Sequence, residues 1–318
     1  MSEIDWLSHL LQIITVTGQI EVRCVYAAPW RTEWPQAAAR QIPYHVVLKG
    51  RAMIEEPGTG MSRELAAGDI VLFPHGSPHV LHDGSGQAPA RTSHRRGAAG
   101  WLLSENAGPG EQMDLLCGRF FIQAPHDRLI RDYFPSTLVV GALGSCADAG
   151  ATPATNPLAD LVALMRVETA ADQPGACEML NALSTALFTL VLRAATKSAR
   201  AETGLLALAG HPRLAPAVAA MFARPAHPWN LHDLAALCGI TRATLIRDFQ
   251  ARLDRPALDL LTDIRMSVAA NALTRPDLTT GAVARSVGYL SVPAFRRAFA
   301  HTMGITPAQW RRLARERQ

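Results

Sequence analysis

The chain has 318 residues, of which 48% are hydrophobic and 18% charged, which is enough for more than one domain with a buried core. Its net charge of +4 is unevenly distributed, because residues 210–318 carry 15 Arg against 7 Asp and Glu and the preceding residues therefore carry −4. Only the C-terminal third suits a nucleic-acid backbone. No uncharged apolar stretch approaches the roughly 20 residues of a membrane span, and residues 1–6 lack the basic start of an export signal, so a soluble cytoplasmic protein is predicted.

The first 140 residues contain short apolar runs separated by glycine and proline, a pattern typical of β-structure. Residues 44–48 and 51–55, joined at Lys49-Gly50, predict a β-hairpin. Residues 83–112 are rich in Gly, Ala, Ser and Pro, and they predict a long mobile loop between strands.

A motif follows the hairpin, in which Gly68, Pro74, Gly76 and His79 fit the pattern G-x5-P-x-G-x2-H. The pattern resembles the second sequence motif of the cupins, and the resemblance implies a small β-barrel or jelly roll. Cupin enzymes hold a metal through two histidines and a glutamate of their first motif, whereas only His45 is present here. Because His45 and His79 alone do not complete a ligand shell, no metal, cofactor or catalytic residue is predicted. Histidines that are satisfied by hydrogen bonds are the simpler interpretation.

Helical periodicity returns further along the chain. Apolar residues at helical spacing predict one helix from about residue 157 and a longer one over 176–197. The longer helix is apolar enough either to cover the barrel or to form a homodimer contact, and the sequence leaves both possibilities open.

Near the C-terminus the chain repeats one pattern at an offset of 49 residues. In each copy a short polar residue, Asn230 or Thr279, precedes an apolar run at helical spacing, and Gly239 or Gly288 ends it. The glycine permits a left-handed turn, after which a second helix follows. Each copy therefore predicts a helix-turn-helix.

The second helix of each copy has apolar residues at i and i+4 that are expected to face the core, Leu245 and Phe249 in one and Phe295 and Phe299 in the other. The arginines then point outward, and a basic outward face is typical of helices that read the major groove. Residues 256–274 predict a single connecting helix about 28 Å long. That length is comparable with the roughly 34 Å between successive major-groove faces on one side of B-DNA.

Residues 211–315 resemble the DNA-binding domain of the AraC/XylS family of bacterial transcriptional regulators. The resemblance depends on Leu231-x-x-Leu234-Ala235-x-x-x-Gly239, Phe249, Ile264-Arg265-Met266, Val287-Gly288-Tyr289, Phe295, Phe299 and the run from Gly304 to Arg311. It implies that the two second helices enter adjacent major grooves of promoter DNA, and that RNA polymerase is a partner. By position it assigns DNA contact to Thr241, Arg242, Ala243, Thr244, Ile246, Arg247, Ser291, Val292, Pro293, Arg296 and Arg297.

One position departs from the repeat, because Asp254 stands where the second copy has Gly304. Asp tolerates the left-handed conformation better than most residues, so the fold is expected to survive. At the C-terminal end, the arginines at 311, 312, 315 and 317 either touch phosphates or form a solvated helix end.

An α+β fold follows from these patterns. Residues 1–206 are predicted to form a cupin-like β-barrel with flanking helices, which serves as a sensor and dimerisation domain. Residues 207–318 are predicted to form an all-α DNA-binding domain with two helix-turn-helix units.

The five cysteines include no C-x-x-C pair, and their odd number argues against a disulfide framework. Cys238 lies on the expected core face of the first helix-turn-helix and is predicted to act as a small hydrophobe. Cys24 and Cys117 fall in predicted strands with an arginine close in sequence, and a nearby cation lowers a thiol pKa. They resemble the cysteines of AraC-type cupin regulators that sense reactive chlorine species. The resemblance implies that the pair oxidises to a disulfide that activates transcription. Buried, inert cysteines are the alternative.

The predicted function is a DNA-binding transcriptional regulator, not an enzyme, that acts as a homodimer and is switched by oxidation of Cys24 and Cys117. A regulator that binds a small organic ligand in the barrel remains an alternative. A metal-dependent cupin enzyme fused to a DNA-binding module is a further one, although its metal constellation is incomplete.

Overall fold

Two compact units make up the structure, which is a computed structural model that describes residues 5–96, 101–123, 126–141, 156–171, 173–197 and 203–316. The sheet unit comprises Val16–Ile122 and Pro135–Ala195. The helical unit comprises Met1–Thr15, Gln123–Phe134 and Thr196–Gln318. The domain boundary predicted from the sequence lies between residues 206 and 207 and separates two continuous parts of the chain. The helical unit of the structure is not continuous, because it also includes two short segments of the N-terminal half.

The described strands are β1 Val16–Ala27, β2 Arg31–Trp34, β3 Gln41–Lys49, β4 Arg51–Glu56, β5 Met61–Ala66, β6 Asp69–Leu72, β7 His79–His82, β8 Thr92–Arg96, β9 Leu102–Asn106, β10 Gln112–Ile122 and β11 Leu138–Gly141. They form a seven-stranded sheet in the order β11-β6-β3-β10-β1-β9-β8 and a four-stranded sheet in the order β2-β7-β4-β5. The α+β class with a cupin-like N-terminal part is confirmed. The predicted barrel needs a correction, because the described strands form two separate sheets and no closed barrel.

The described helices are α1 Trp6–Ile13, α2 Asp127–Tyr133, α3 Pro157–Ala171, α4 Ala176–Lys197, α5 Gly204–Gly210, α6 Ala215–Ala223, α7 Leu231–Leu237, α8 Arg242–Leu253, α9 Ala257–Thr274, α10 Thr280–Ser286, α11 Val292–Met303 and α12 Pro307–Arg315. The helices predicted near 157, over 176–197 and over 256–274 correspond to α3, α4 and α9.

The seven-stranded sheet is buried on both faces near its centre, where β3 and β10 lie side by side. Apolar residues dominate both strands, as expected for strands with no solvent-facing side. One face forms a core with residues of the four-stranded sheet. That core includes Cys24, Trp30, Val47, Ile54, Leu65, Phe73, Leu81, Leu115 and Cys117.

The opposite face of this sheet is covered by α4. The hydroxyl groups of Tyr44 and Ser184 lie 2.6 Å apart, and the Thr185 hydroxyl accepts a hydrogen bond of 2.9 Å from the Gly18 amide. A side chain at Gly18 is excluded by this contact, since a Cβ there would lie 2.5 Å from the Ser184 Cβ. The alternative in which the long helix covers the sheet is therefore observed in the structure.

By length and composition alone, α4 also meets the requirements of a membrane span, with 22 residues and a mean hydropathy of 1.3. Core helices of soluble proteins can meet the same requirements. Here its apolar side chains Leu180, Leu187 and Phe188 are buried within the protein.

Two sequence predictions for the sheets are wrong. The strands β3 and β4 do not form a hairpin, because β3 pairs with β10 and β6 whereas β4 pairs with β5 and β7. The chain crosses between sheets at Gly50, whose φ of 81° and closeness to the Gln112 carbonyl require glycine. Residues 83–112 are also not a plain loop, since β8 and β9 pair within them and β9 runs parallel to β1.

The helical unit is built around α9, which contacts α1, α6, α8, α10, α11 and α12. Ten of its 18 residues are buried, so this helix is a central core element as well as a connection between the two helix-turn-helix units. Arg265, from the motif singled out in the sequence, donates hydrogen bonds of 2.7 Å to the carbonyls of Pro225 and His227. It thereby fixes the segment that leads into the first unit.

The repeat seen in the sequence is reproduced in the structure. The helices α7 and α10 both have 7 residues, and α8 and α11 both have 12. The predicted N-caps Asn230 and Thr279 accept hydrogen bonds from amides of the first turn. Asp254 has a left-handed φ of 54° at the end of α8, where Gly304 has 72° at the end of α11, so the expected tolerance of Asp at this position is confirmed.

The turn glycines of the two units differ in the space around them, and this difference predicts unequal effects of substitution. A Cβ at Gly288 would lie 2.5 Å from the Ala226 carbonyl oxygen, whereas a Cβ at Gly239 would meet no atom within 4 Å. Gly239→Ala should cost about 1–2 kcal/mol from left-handed strain alone. Gly288→Ala should cost a further 1–3 kcal/mol, approximately, from overpacking. Urea unfolding of both variants measures the difference, and equal losses would contradict the close approach at Gly288.

Two short helices from the N-terminal half pack within the helical unit, which the sequence did not predict. Tyr133 of α2 donates a 2.6 Å hydrogen bond to the buried carboxylate of Asp263 in α9. Arg128 of α2 donates to the Thr302 carbonyl near the end of α11. Asn271 of α9 donates to the Ile13 carbonyl of α1 at 2.9 Å. The helix that precedes β1 in the chain and the helix that follows β10 are thus held by polar contacts to α9 and α11.

Candidate DNA-binding surface and thiol cluster

The helices α8 and α11, the second helices of the two units, present most of the residues to which DNA contact was assigned. Leu245, Phe249, Phe295 and Phe299 are fully buried and fix the inner face of each helix, as predicted. The assigned residues all lie at the helix start or on the opposite face, and none is buried. The exposed ones are Thr241, Arg242, Ala243, Ile246, Arg247, Ser291, Pro293, Arg296 and Arg297, and the half-buried ones are Thr244 and Val292.

Both helices begin with a hydroxyl side chain that caps the first turn. Thr241 accepts a hydrogen bond from the Thr244 amide at 3.1 Å, and Ser291 accepts one from the Ala294 amide at 3.4 Å. The two hydroxyl groups are therefore primarily structural. Any base contact by these helices must come mainly from the arginines and the apolar side chains of the outward face.

An apolar residue next to the second helix was not predicted as part of this surface. Leu290, in the turn before α11, is 104% exposed, and Ile246 on α8 is 44% exposed. Scattered exposed apolar residues are common, but apolar side chains on a reading surface can contact thymine methyl groups. In the sequence, Leu290 could have been assigned to this surface only from its position in the turn immediately before the second helix.

The C-terminal arginines have different roles. Arg311 donates hydrogen bonds to the carbonyls of Arg275 and Leu278, so its guanidinium holds the end of α9 and the following turn. Arg312 and Arg315 are exposed on α12. Arg317 lies outside the described residues.

In the sheet unit, Cys24 and Cys117 lie on neighbouring strands and point into the same core. Each thiol affects the pKa of the other. Only 2% of Cys24 and none of Cys117 is exposed. The strand positions predicted for these two residues are thus observed in β1 and β10.

Two histidines extend this pair into the thiol cluster, which comprises Cys24, Cys117, His45 and His79. His45 lies directly opposite Cys117 in the β10–β3 pair, and its Nδ1 is 2.9 Å from the Cys117 Sγ. Its Nε2 is 2.7 Å from the Nε2 of His79, which comes from the other sheet. His79 Nδ1 in turn lies 2.8 Å from the Ser77 carbonyl oxygen. The sequence suggested histidines satisfied by hydrogen bonds, but it did not predict a link to the thiols.

The two thiols have different pKa values because their surroundings differ. Hydrogen bonds from Cys117 and Tyr26 lower the pKa of Cys24 and outweigh the effect of burial. Burial raises the pKa of Cys117 well above its usual value. Cys24 is therefore the thiol that ionises first, and Cys117 keeps its proton.

The cause of the lowered pKa differs from the one expected from the sequence. Arg23 is adjacent to Cys24 in β1 and therefore points to the other face of the strand, where it forms a two-pronged ion pair with Asp114 at 2.6 and 2.9 Å. Arg119 is paired with Glu21 at 2.6 Å. No arginine contributes to the shift of the Cys24 pKa, so the predicted role of a nearby cation is wrong.

Burial keeps both histidines neutral near pH 7. It lowers the pKa of His45 well below its usual value and that of His79 to about 4. Aromatic rings enclose both imidazoles, with Phe73 stacked on His79 at 3.7 Å and the edge of Trp34 against His45 at 4.8 Å between ring centroids. Among the described residues, no group of three or more His, Cys, Asp and Glu side chains is arranged to hold a metal ion.

Comparison with known protein families gives two matches along the chain. A cupin family model matches residues 5–197, which is more than half of the sequence, and a helix-turn-helix domain model matches residues 234–313. The first match covers the sheet unit and the second covers both helix-turn-helix units. The chain belongs to the AraC family of cupin-containing transcriptional regulators. The AraC resemblance predicted from the sequence is thereby confirmed.

Known relatives of this AraC-family chain match it from end to end. The "RCS-specific HTH-type transcriptional activator RclR" of Escherichia coli (strain K12) is 27% identical over 312 residues, which is 98% of this chain and 99% of the relative. The "HTH-type transcriptional regulator MtrA" of Neisseria gonorrhoeae is 26% identical and covers 97% of this chain and 98% of the relative. This chain is accordingly a DNA-binding transcriptional regulator.

Among solved structures, the DNA-binding domain of AdpA in complex with a target DNA is 26% identical, with a TM-score of 0.31. The match covers 34% of this chain and 96% of that domain.

Proposed function

We propose that this AraC-family regulator is switched by oxidation of Cys24 and Cys117 to a disulfide. The observation that carries the proposal is that Cys24 and Cys117 lie on the same face of neighbouring strands and in the same core. The pKa of Cys24 is lowered there and that of Cys117 is raised. A thiolate beside a protonated thiol is the arrangement in which one sulfur is oxidised and the other then displaces its leaving group. The name of the full-length E. coli relative, an RCS-specific activator, supports an oxidant of the reactive chlorine class.

Disulfide formation would require a shift of two neighbouring strands. Val22 is opposite Cys117 and Cys24 is opposite Leu115, so the cysteines occupy diagonal positions on one face. Diagonal residues have Cα atoms about 7–8 Å apart. A disulfide needs about 4.4–6.8 Å, so β1 and β10 would have to shift against each other.

That shift has a route to the DNA-binding helices. The strand that carries Cys24 follows α1, and the strand that carries Cys117 precedes α2. Both short helices contact α9, and α2 also reaches α11 through Arg128. Val16 pairs with Ile122, so α1 and α2 are joined to the same end of this antiparallel strand pair. A displacement of β1 relative to β10 would therefore act on both helices. We propose that it alters the spacing of the two reading helices on DNA.

For DNA recognition we propose that α8 and α11 enter adjacent major grooves of a promoter site. The exposed arginines and the apolar residues of their outward faces would contact the bases. The proposed set is the eleven residues from Thr241 to Arg297 described above as exposed or half-buried.

The remaining proposals concern partners and location. A second copy of the chain would bind at α3 and α4, where Leu164, Val167 and Met179 are between 42% and 60% exposed. A monomer mass in light scattering would contradict this. We also propose RNA polymerase as a partner, a cytoplasmic location and no enzymatic activity, and the names of the relatives as transcriptional regulators support this.

The thiol experiment tests the switch. Treatment of the reduced protein with about one equivalent of hypochlorite should lower the number of free thiols from the five in the sequence to three. Tryptic mass spectrometry should find the peptides of Cys24 and Cys117 joined. Cys24→Ser and Cys117→Ser should each abolish the joined peptide and the hypochlorite response of a promoter fusion.

Cys177→Ser is the matched control, because Cys177 is half-exposed on α4 and lies outside the thiol cluster. That variant should keep the disulfide and the response. A wild-type promoter response in both Cys24→Ser and Cys117→Ser would overturn the proposal. A small organic ligand that raises the thermal midpoint of those variants would then favour the ligand-sensing alternative.

A further inference from the structure

The thiol cluster continues beyond the two sulfurs into an unbroken line of polar contacts. Cys117 contacts His45, His45 contacts His79, and His79 contacts the Ser77 carbonyl, with successive distances of 2.9, 2.7 and 2.8 Å. The line crosses from one sheet to the other. His45 and His79 are each only 1% exposed, so water does not compete for these contacts.

The carbonyl at the end of the line fixes the position of every proton along it. A carbonyl oxygen only accepts, so His79 must carry its hydrogen on Nδ1 and leave Nε2 bare. His45 must then donate from its Nε2 to His79, which leaves the Nδ1 of His45 bare. That bare nitrogen faces the Cys117 thiol. The neutral cluster therefore holds an imidazole acceptor against the sulfur that must lose its proton when the disulfide closes.

We propose that His45 and His79 form a proton relay that takes the proton from Cys117 as the Cys24–Cys117 disulfide forms. This inference rests on the proposed thiol switch and assigns a role to two further residues. His45 and His79 act as positioning and proton-transfer residues for the sulfur chemistry.

The reaction balances with hypochlorous acid as the oxidant. The Cys24 thiolate attacks chlorine, so an S–Cl bond forms, the Cl–O bond breaks, and hydroxide leaves and becomes water with the proton that Cys24 released. The Cys117 sulfur then attacks the Cys24 sulfur, so the S–S bond forms and chloride leaves. The Cys117 proton passes to His45 Nδ1. Two sulfurs lose two electrons in total, and chlorine gains them.

A single hydrogen on Cys117 serves both steps. Before oxidation the Cys117 thiol lowers the pKa of Cys24 and so favours the thiolate there. Once Cys24 bears chlorine its negative charge is gone, so the same hydrogen can turn to the bare His45 nitrogen. Whether Cys24 is reduced or chlorinated thereby determines whether the Cys117 hydrogen interacts with the Cys24 sulfur or with His45 Nδ1.

The far end of the relay is suited to hold the positive charge. When His45 gains a proton on Nδ1 it can pass its Nε2 proton to His79, so the charge appears on His79. Glu56 acts on His79 electrostatically and favours its charged form. Burial would raise the pKa of Glu56, but hydrogen bonds from Thr137, Ser77 and Thr59 outweigh it and keep this carboxyl ionised. Arg119 opposes protonation of His45 and thus favours transfer onward. The carboxylates of Asp114 and Glu21 act on the thiols, where they raise the pKa of Cys24 and of Cys117 respectively.

Rapid-quench oxidation of His45→Gln tests the relay. Glutamine can still hydrogen-bond to Cys117 but is not a base. At pH 7 the variant should chlorinate Cys24 at the wild-type rate and close the disulfide about 100-fold more slowly. The stalled sulfenyl chloride hydrolyses to a sulfenic acid, so a dimedone adduct should accumulate at Cys24. The closure rate of the variant should also rise about tenfold per pH unit, because the proton must then leave to hydroxide.

His79→Gln should also slow closure, since His45 loses the base to which it passes its Nε2 proton. His82→Gln is the control, because His82 lies on the same strand as His79 but pairs with Glu55 outside the cluster. That variant should close at the wild-type rate. Thermal unfolding of each variant establishes that it is folded before the rates are compared.

Nitrogen-15 NMR of the reduced wild-type protein provides a second test that needs no variant. The relay requires a proton on Nδ1 of His79 and on Nε2 of His45, with Nδ1 of His45 bare. A proton on Nδ1 of His45, or wild-type closure in a folded His45→Gln variant, would overturn the relay while the thiol switch stands. A wild-type protein that forms no Cys24–Cys117 disulfide would overturn both.

Discussion

Replacing Arg297 with alanine is expected to lower affinity for the operator by about 5- to 150-fold, corresponding to 1–3 kcal/mol for a two-pronged contact with guanine. Arg297 is exposed on the outward face of α11, on the side opposite the buried Phe295 and Phe299. The loss should be confined to operators that carry guanine at one position, because only a base contact distinguishes sequences. Fluorescence anisotropy with single-base operator variants at one fixed salt concentration measures this.

Arg312→Ala is the matched control, since Arg312 is exposed on α12 rather than on a reading helix. Removing a phosphate-binding guanidinium at this position should weaken the binding of all sequences alike and reduce the salt dependence by about one counterion. If Arg297→Ala produces the same uniform loss as Arg312→Ala, the assignment of Arg297 to base contact is wrong.

The second large effect is expected at Phe299, whose side chain lies in the core of the second helix-turn-helix with Phe295, Val283 and Trp310. Phe299→Ala should lower the free energy of unfolding by about 3–5 kcal/mol, because it removes a fully buried ring and leaves a cavity. Urea unfolding followed by tryptophan fluorescence reports on it, since Trp310 belongs to the same cluster.

Leu290→Ala provides the comparison, because Leu290 is fully exposed in the turn before α11. Its substitution should change the free energy of unfolding by less than about 0.5 kcal/mol. A loss below about 1 kcal/mol for Phe299→Ala would contradict the packing of α11 described above.

The double helix-turn-helix could be predicted because its determinants are local. The capping residues Asn230 and Thr279, the glycine turns and the i, i+4 core residues all act within a few residues of one another. The same locality explains Asp254, whose left-handed conformation follows from its own short polar side chain. Helical units of this kind carry enough information in one stretch of sequence to specify their structure.

The sheets were less predictable because strand partners are set by distant residues. The run from Tyr44 to Glu55 looks like a hairpin locally, yet its two strands enter different sheets. The segment 83–112 is rich in glycine and polar residues, and its two strands are held by the pairing of β9 with β1 and of β8 with β9. The docking of α1 and α2 on α9 involves residues far apart in the sequence, such as Tyr133 with Asp263 and Ile13 with Asn271, and no local sequence pattern indicates it.

The candidate thiol site was predicted in part. Strand periodicity placed Cys24 and Cys117, but the histidine partners required the β3–β10 register and the packing of one sheet on the other. The cupin motif that ends at His79 was the available signal. Such a motif is typical of metal sites, whereas in this structure the histidines contact each other and a thiol.

The central claim is that the two helix-turn-helix units read one DNA segment together, under control of the thiols in the sheet unit. Hydroxyl-radical footprinting on the chain's own upstream region, with reduced and hypochlorite-treated protein, tests it most directly. Two protected backbone segments about one helical turn apart on one face of the DNA are expected, with a pattern that changes on oxidation in the wild type but not in Cys24→Ser. Protection of a single segment, or a pattern that changes identically in Cys24→Ser, would contradict it.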